Sequence, residues 1–315
     1  MDQRFFDAKG VREIKRGIYG HPPTELADGG SDAVALSPLE PGAMRFEDLP
    51  DGEFDAITML APPGVLERRY ALAQALRTLK PGGHLTALAP KDRGGSRLAR
   101  ELAEFGCPVE ESAKRHHRIC TVTRQGKPVG IGEAIAAGSP QIPSALGLWS
   151  QPGIFSWDRP DRGTALLLHH LPTLSGVGAD FGCGVGTLAR AVLENPSVTR
   201  LALIDIDRRA IEAARRNVQD RRVAFIWRDL RVGERAEDGS LDFVVMNPPF
   251  HDGGQEDRAL GEAFIQRAAT MLKPAGVCWL VANRHLPYEA ALRSAFRRIR
   301  QVVQADGYKI YEARQ

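Results

Sequence analysis

The sequence predicts an α/β fold built twice in one chain, each copy a parallel sheet with helices on both faces. Strand-like runs alternate with segments of helix length, which favours parallel strands joined by crossover helices. Two pieces of the chain also recur. Phe54-Asp55-Ala56-Ile57-Thr58-Met59 is echoed by Leu241-Asp242-Phe243-Val244-Val245-Met246, and a proline pair follows each. Leu79-Lys80-Pro81-Gly82-Gly83 is echoed by Leu272-Lys273-Pro274-Ala275-Gly276 at the corresponding later point, the mark of a duplicated unit. At 315 residues there is chain enough for two cores of about 150 residues each, with expected domains at 1–145 and 146–315.

Residues 1–30 show no clear pattern. Ala33-Val34-Ala35-Leu36 reads as a short strand and Phe54 to Leu60 as a better one. A helix follows from Leu66 to Leu79, with Lys80-Pro81-Gly82-Gly83 as its stop, and then a strand from His84 to Ala89. Arg97 to Phe105 reads as a helix and Arg118 to Val122 as the next strand. Gly138 to Gly153 is rich in Pro, Gly and Ser and is the expected linker. Thr164 to Leu171 makes a short helix. Beyond it come a strand, a glycine-rich turn, a helix from Thr187 to Glu194, a strand from Leu201 to Ile206 and a helix from Arg209 to Val218. Val223 to Trp227 and Leu241 to Met246 are the next strands. A helix from Asp257 to Leu272, a strand from Gly276 to Ala282 and a hairpin over Arg300 to Tyr311 complete the series.

Composition removes several classes. Apolar content of 43% and charge of 26% are those of a globular protein, and no segment approaches the roughly 18 uninterrupted apolar residues of a membrane span. Met1 to Lys15 mixes acids with bases and lacks an apolar centre, unlike a secretory signal. Cys107, Cys120, Cys183 and Cys278 lie far apart, with no C-x-x-C pair and no histidines at ligand spacing. No metal site or disulfide framework is therefore expected, and a cytoplasmic location is. The net charge of +3 is too small to announce nucleic-acid binding, although the second half is rich in arginine.

The most informative stretch is Val244-Val245-Met246-Asn247-Pro248-Pro249-Phe250. A buried strand stops at a polar residue, two prolines and a ring. Proline fixes φ, lacks an N–H and pushes the residue before it into extended geometry, so this is a stiff loop that presents carbonyl oxygens. Such a rim suits a planar amino group, whose delocalised lone pair attacks only when acceptors bind its hydrogens. Asn247 and Pro248 are the candidate acceptors, Pro249 stiffens the loop, and Phe250 is the ring to stack on the acceptor group. Guanine, adenine and a glutamine amide all present such a group. The first copy has Leu60-Ala61-Pro62-Pro63 instead, lacks the acceptor side chain, and is expected to be silent.

Asp180-Phe181-Gly182-Cys183-Gly184-Val185-Gly186 lies at a strand-to-helix turn, where glycines let backbone approach a ligand closely. Its third glycine comes one residue earlier than in the dinucleotide fingerprint G-x-G-x-x-G, which weakens a nicotinamide reading. An acid just before the loop fits a ligand carrying a positive amino group better than a pyrophosphate. Asp205 closes the next strand, where a carboxylate can accept from two ribose hydroxyls, while Asp207 is the expected N-cap of the following helix. Asp229 follows the third strand and is the candidate partner of an adenine amino group.

These motifs are similar to those of class I S-adenosylmethionine-dependent methyltransferases. Asp180 to Gly186 resembles their first motif, Asp205 their ribose acid, Asp229 their adenine contact, and Asn247 to Phe250 the N-P-P-[FY] motif of enzymes that methylate planar nitrogens. The whole chain resembles the RsmC-like guanine-N2 methyltransferases of small-subunit ribosomal RNA. Pro152 to Ser156, Asp161-Arg162-Gly163-Thr164, Asn247 to Gly253 and Asn283 to Tyr288 carry the resemblance. It implies two tandem Rossmann-like methyltransferase domains, the first degenerate and the second catalytic, with S-adenosylmethionine as cofactor and 16S ribosomal RNA or the small ribosomal subunit as partner. A non-catalytic cofactor- or RNA-binding module is the competing expectation.

Overall fold

Two sheets carry the chain, and both are mixed where the sequence predicts parallel ones. The computed structural model describes residues 14–232, 238–249, 251–252, 255–256 and 258–315, and no side chain between 250 and 258. The chain separates into two units. The first holds the described residues up to Leu36, Met44–Ala61 and Ala71–Gly132; the second holds Ser37–Ala43, Pro62–Tyr70 and Glu133–Gln315.

The first sheet is built from β1 (Arg16–Tyr19), β2 (Val34–Ala35) and β3 (Phe54–Leu60), then, after helix α1 (Val65–Thr78), from β4 (Leu79–Pro90). Helix α2 (Ser96–Glu104), β5 (Val109–Lys114) and β6 (His117–Thr123) follow, and α3 (Ile131–Gly138) leads into the second unit. The strand order is β2-β1-β3-β4-β6-β5, parallel except where β6 pairs with β4 and β5.

The second unit runs α4 (Arg162–His170), β7 (Gly176–Phe181), α5 (Thr187–Val192), β8 (Val198–Asp205), α6 (Arg208–Asn217), β9 (Val223–Trp227) and β10 (Leu241–Met246). A small pair, β11 (His251–Asp252) and β12 (Gln255–Glu256), precedes α7 (Arg258–Met271), β13 (Leu272–Asn283), α8 (Glu289–Ala295), β14 (Arg298–Ala305) and β15 (Tyr308–Arg314). Its order is β14-β15-β13-β10-β7-β8-β9. Read from β8 to β14, this is the first sheet position for position and direction for direction, with β9 added at the edge.

The two copies share finer detail. Phe54 pairs with Leu79, then the register jumps so that Ala56 pairs with His84; Leu241 pairs with Leu272, then Phe243 with Val277. The bulge is the same in both, and Lys80 and Lys273 reach back from it to Asp55 (2.7 Å) and Asp242 (2.8 Å). The left-handed position falls on Gly82 (φ 80°) in one copy and on Ala275 (φ 67°) in the other.

The stretch expected to be the domain linker, Gly138 to Gly153, is folded. Gln141 and Ser150 exchange both backbone hydrogen bonds at 2.8 Å, and the side chain of Asn217 at the end of α6 brackets the Trp149 peptide by accepting from its N–H (2.8 Å) and donating to its carbonyl (2.9 Å). Its Pro, Gly and Ser content marks tight turns, not slack. The core around β10 is dry: Val244, Val245 and Met246 are fully buried, and the four cysteines are buried free thiols. Among the described residues no helix is long and apolar enough to cross a membrane.

An L-residue in left-handed geometry is strained by about 1–2 kcal/mol, offset in part by the entropy a glycine loses on folding. Ala275→Gly is expected to stabilise the second unit by about 0.5–1 kcal/mol and Gly82→Ala to destabilise the first by a similar amount. Denaturant midpoints of the two variants check this; shifts of the same sign would refute the equivalence of the two bulges.

Candidate active site

The strand order decides where the site lies. After β7 the chain moves to β8 and β9 on one side, then crosses back to β10 on the other, so β7 and β10 are the strands at which the winding reverses. Connections leave such a pair in opposite directions and open a crevice beyond its carboxyl ends. The register is parallel, Phe243 beside Gly178 and Met246 beside Phe181, so the next residues out are Asn247 and Gly182. Gly178 permits the approach, since a Cβ there would lie 2.1 Å from the Phe243 ring.

Gly182, Gly184 and Gly186 all have left-handed φ (68°, 51° and 86°), which is why the turn needs glycine at each. A side chain on Gly186 would meet Val218 at 2.9 Å, whereas one on Gly184 would meet nothing, so Gly184 faces open space. The Asn247 carbonyl stands 4.0 Å from where a Gly182 Cβ would be. Gly182, Gly184, Asp205, Ile206, Asn247, Pro248 and Pro249 line one cavity. Ile154, Phe155 and Phe264 complete its apolar wall, the Phe264 ring standing edge-on to Phe181 with centroids 6.4 Å apart. A second small cavity shares Gly182, Gly184, Phe155 and Asn247 and adds Asp161 and Thr164.

Asp180 is fully buried beneath this turn, and neither carboxylate oxygen has a hydrogen-bond partner among the described residues. Burial, with the nearby Asp205 charge, pushes its pKa up to about 8. A buried unpaired carboxylate is unfavourable, so the site is built for a cation or a proton. Asp205 accepts from the N–H groups of Gly184 and Asp207, each at 2.9 Å, and so fastens the glycine turn to the end of β8. Burial first and Asp207 second raise its pKa to about 6, against the pull of those two N–H groups. Asp207 is the α6 N-cap, as expected, accepting from the Arg209 N–H at 2.9 Å and holding the Arg209 guanidinium.

Asn247 is gripped from α4. Its amide nitrogen donates to Asp161 Oδ2 at 2.9 Å and Thr164 Oγ1 at 3.0 Å, while Asp161 Oδ2 also accepts from the Thr164 N–H at 2.7 Å as the α4 N-cap.

Asp229 departs from this convergence. Its carboxylate is taken up by the backbone and guanidinium of Arg231 (2.9 and 3.0 Å), and it is not among the residues lining the cavity. Phe250 lies outside the described residues. Residues that motif reading left without a role include Phe155, an aromatic at the lip with 59% of its surface exposed, and the Asp161–Thr164 pair. Both lie in segments the sequence singles out, but only the tertiary contacts bring them to Asn247 and the glycine turn.

A family model described as the methyltransferase small domain matches residues 145–312. The chain is 34% identical over 285 residues to the ribosomal RNA small subunit methyltransferase C of Pseudomonas aeruginosa strain LESB58, covering 87% of this chain and 83% of that protein. It is 30% identical over 271 residues to the protein of the same name from Shewanella loihica, covering 83% and 77%. The solved structure of T. thermophilus 16S rRNA N2 methyltransferase RsmC, in complex with AdoMet and guanosine, superposes with a TM-score of 0.76 at 23% identity over 96% of this chain and 88% of that one.

The Asp180 proton gives a test of the site's energetics. Asp180 holds it more tightly in the folded protein than in the unfolded chain, so this group favours folding at low pH. That contribution is lost as pH rises from about 4 towards 8. Asp180→Asn, neutral at every pH, is expected to raise the melting temperature of the ligand-free protein by about 5 °C at pH 8 and hardly at all at pH 5. A gain that is the same at both pH values would exclude the buried charge as its cause.

Proposed function

Because this chain belongs to the methyltransferase small-domain family, and within it to the ribosomal RNA small subunit methyltransferase C group, we propose that it transfers a methyl group from S-adenosylmethionine to the exocyclic N2 amino group of a guanine in 16S ribosomal RNA. One observation carries the reading: the Asn247-Pro248-Pro249 rim and the Gly182–Gly184 turn, at the ends of adjacent strands, line the same cavity.

The residues present fit the cofactor. Asp180, buried beneath the glycine turn and not itself on the cavity wall, has no hydrogen-bond partner for its carboxylate among the described residues and matches its ammonium group by charge; the Asp205 carboxylate on the cavity wall matches its ribose hydroxyls; and Gly184 opens backbone to it with no side chain in the way. S-adenosylmethionine would supply a methyl already made electrophilic by a sulfonium and would leave as the neutral thioether; the methylated nitrogen is then acidic enough to give its extra proton to water, so the chain needs no strong base. Its task is alignment. The Asn247 carboxamide oxygen and the Pro248 carbonyl accept the two amino hydrogens and let the nitrogen leave the plane of the ring. Pro249 stiffens the rim, and Phe250 is proposed, from the motif alone, as the face on which the base stacks. Gly186 shapes the turn against α6. An adenine contact by Asp229 shares its carboxylate with Arg231, and Ile206 on the cavity wall packs against the adenine face. A guanine paired in a helix must be flipped out to reach this rim, or be presented unpaired.

The first unit reads as a degenerate copy of the second, with residues 1–145 as the docking or structural half. Its β1 is followed by Gly20-His21-Pro22-Pro23, where two prolines without N–H replace the glycine turn, and Ala61 replaces Asn247. Just past Ala61, in the Pro62–Tyr70 segment that packs with the second unit, the carbonyls of Pro62 and Pro63 accept from the fully buried Arg68 guanidinium at 3.1 and 2.7 Å, so these carbonyls already have a donor. Action on ribosomal RNA or the small subunit implies a cytoplasmic protein.

Labelled methyl transfer to isolated small subunits and to naked ribosomal RNA tests the reading. N2-methylguanosine is the expected product, and label confined to N6-methyladenosine or to protein glutamine would overturn it. Asn247→Ala is expected to lower kcat by about 100-fold with the cofactor Kd changed less than about threefold.

A further inference from the structure

The first turn of α4 reaches across to the end of β10 and holds the one side chain whose orientation the transfer chemistry depends on. Both hydrogens of the Asn247 amide nitrogen have acceptors there, Asp161 Oδ2 at 2.9 Å and Thr164 Oγ1 at 3.0 Å. A carboxamide is nearly symmetric in shape, so packing alone does not choose between its oxygen and its nitrogen. Hydrogen-bond chemistry does. A hydroxyl such as Thr164 can accept or donate and tolerates either arrangement. An ionised carboxylate only accepts, and a rotated Asn247 would set two oxygens against each other. Asp161 itself is fixed, because its Oδ2 also caps α4 through the Thr164 N–H at 2.7 Å.

We propose that Asp161 is a positioning residue for methyl transfer, a latch that keeps the Asn247 nitrogen turned towards α4 and its Oδ1 turned out to accept from the incoming amino group. This rests on the methyl-transfer reading above. The latch acts in two ways. It excludes the rotated side chain, which would aim a donor at an amino group that is itself a donor. It also sets a negative charge behind the amide, and a chain of hydrogen bonds polarises in one direction, so Oδ1 becomes a better acceptor as positive charge builds on the attacking nitrogen. The arrangement parallels the way a buried acid orients an imidazole for a serine nucleophile, with a carboxamide in the imidazole's place. The latched carboxamide stands beside Gly182 and Gly184 in the wall common to both cavities, so the orientation is set where the transferred methyl must pass.

The obvious alternative is that Asp161 only starts a helix. Asp161→Ser separates the two roles: serine is an equally good N-cap, but its oxygen lies one bond closer to the backbone and falls short of Asn247. The latch predicts that Asp161→Ser lowers kcat by about 30-fold with cofactor Kd and melting temperature near native. Asp161→Asn, which retains an oxygen at the same reach, should recover the rate to within about threefold of native, the remainder reporting the lost charge. In an Asn247→Ala background Asp161→Ser should cost less than about twofold, because nothing is left to orient. A native kcat in Asp161→Ser, or the same loss in both backgrounds, would overturn the latch while leaving methyl transfer intact. If the native chain transferred no methyl group, the functional reading would fall instead. The grip itself is read without activity: the Asn247 side-chain amide protons should be protected from solvent exchange in the ligand-free protein and unprotected in Asp161→Ser, and their free exchange in the native protein would also sink the proposal.

Discussion

The parallel register between β7 and β10 is the constraint on which the rest depends. It makes Gly182 and Asn247 the first residues beyond two adjacent strand ends, and the reversal of winding at this pair sends their loops apart, leaving space between. Side chains alternate faces along a strand, so a slip of one residue would turn Asn247 away from the cavity and bring core residues to its edge. Gly178, flat against the Phe243 ring, and the bulge with its Lys273–Asp242 pair hold that register at the other end of β10.

The same framework occurs twice, with different consequences. Strand order, bulge and Lys–Asp pair recur in both units, so none of them distinguishes one copy from the other. The difference lies in a handful of loop residues on equivalent strand ends. One copy has three glycines and an asparagine whose amide nitrogen is bonded to α4. The other has prolines after a single glycine, an alanine, and proline carbonyls already bonded to Arg68. A scaffold of buried apolar strands tolerates such loop changes because almost none of its stability resides in them.

Within the copy that carries the glycine turn and Asn247, a buried charge works against stability. Asp180 sits in the core with no hydrogen-bond partner for its carboxylate among the described residues, an arrangement that disfavours its charged form and is relieved by a cation or a proton. Asp205, a few ångströms of backbone away, uses its carboxylate to hold the glycine turn in the shape that exposes Gly184. The two acids therefore have different roles, one waiting for charge and one building the loop. Both depend on the protein's interior being a poor solvent for ions.

Much of this was legible in the amino-acid order, because strand alternation, the Lys-Pro-Gly stop, the glycine turn and the Asn-Pro-Pro rim each act through local backbone geometry. The hairpin between β14 and β15 turns on Asp306-Gly307, both with positive φ, and its sequence says so. The hairpin between β5 and β6 makes the same turn with Arg115-His116, at φ 46° and 61°, and residues that so rarely adopt this geometry give no such signal. Strand β1, four residues with a glycine, and the largely exposed edge strand β5 lack periodicity because their neighbours, not their own side chains, make them strands. The sequence by itself therefore determined which residues end strands and which cap helices. The fold alone decided that Asp161 meets Asn247 across 86 positions, and that the Asp180 carboxylate has no hydrogen-bond partner among the described residues, since hydrogen bonds are allotted by distance in space and not by separation along the chain.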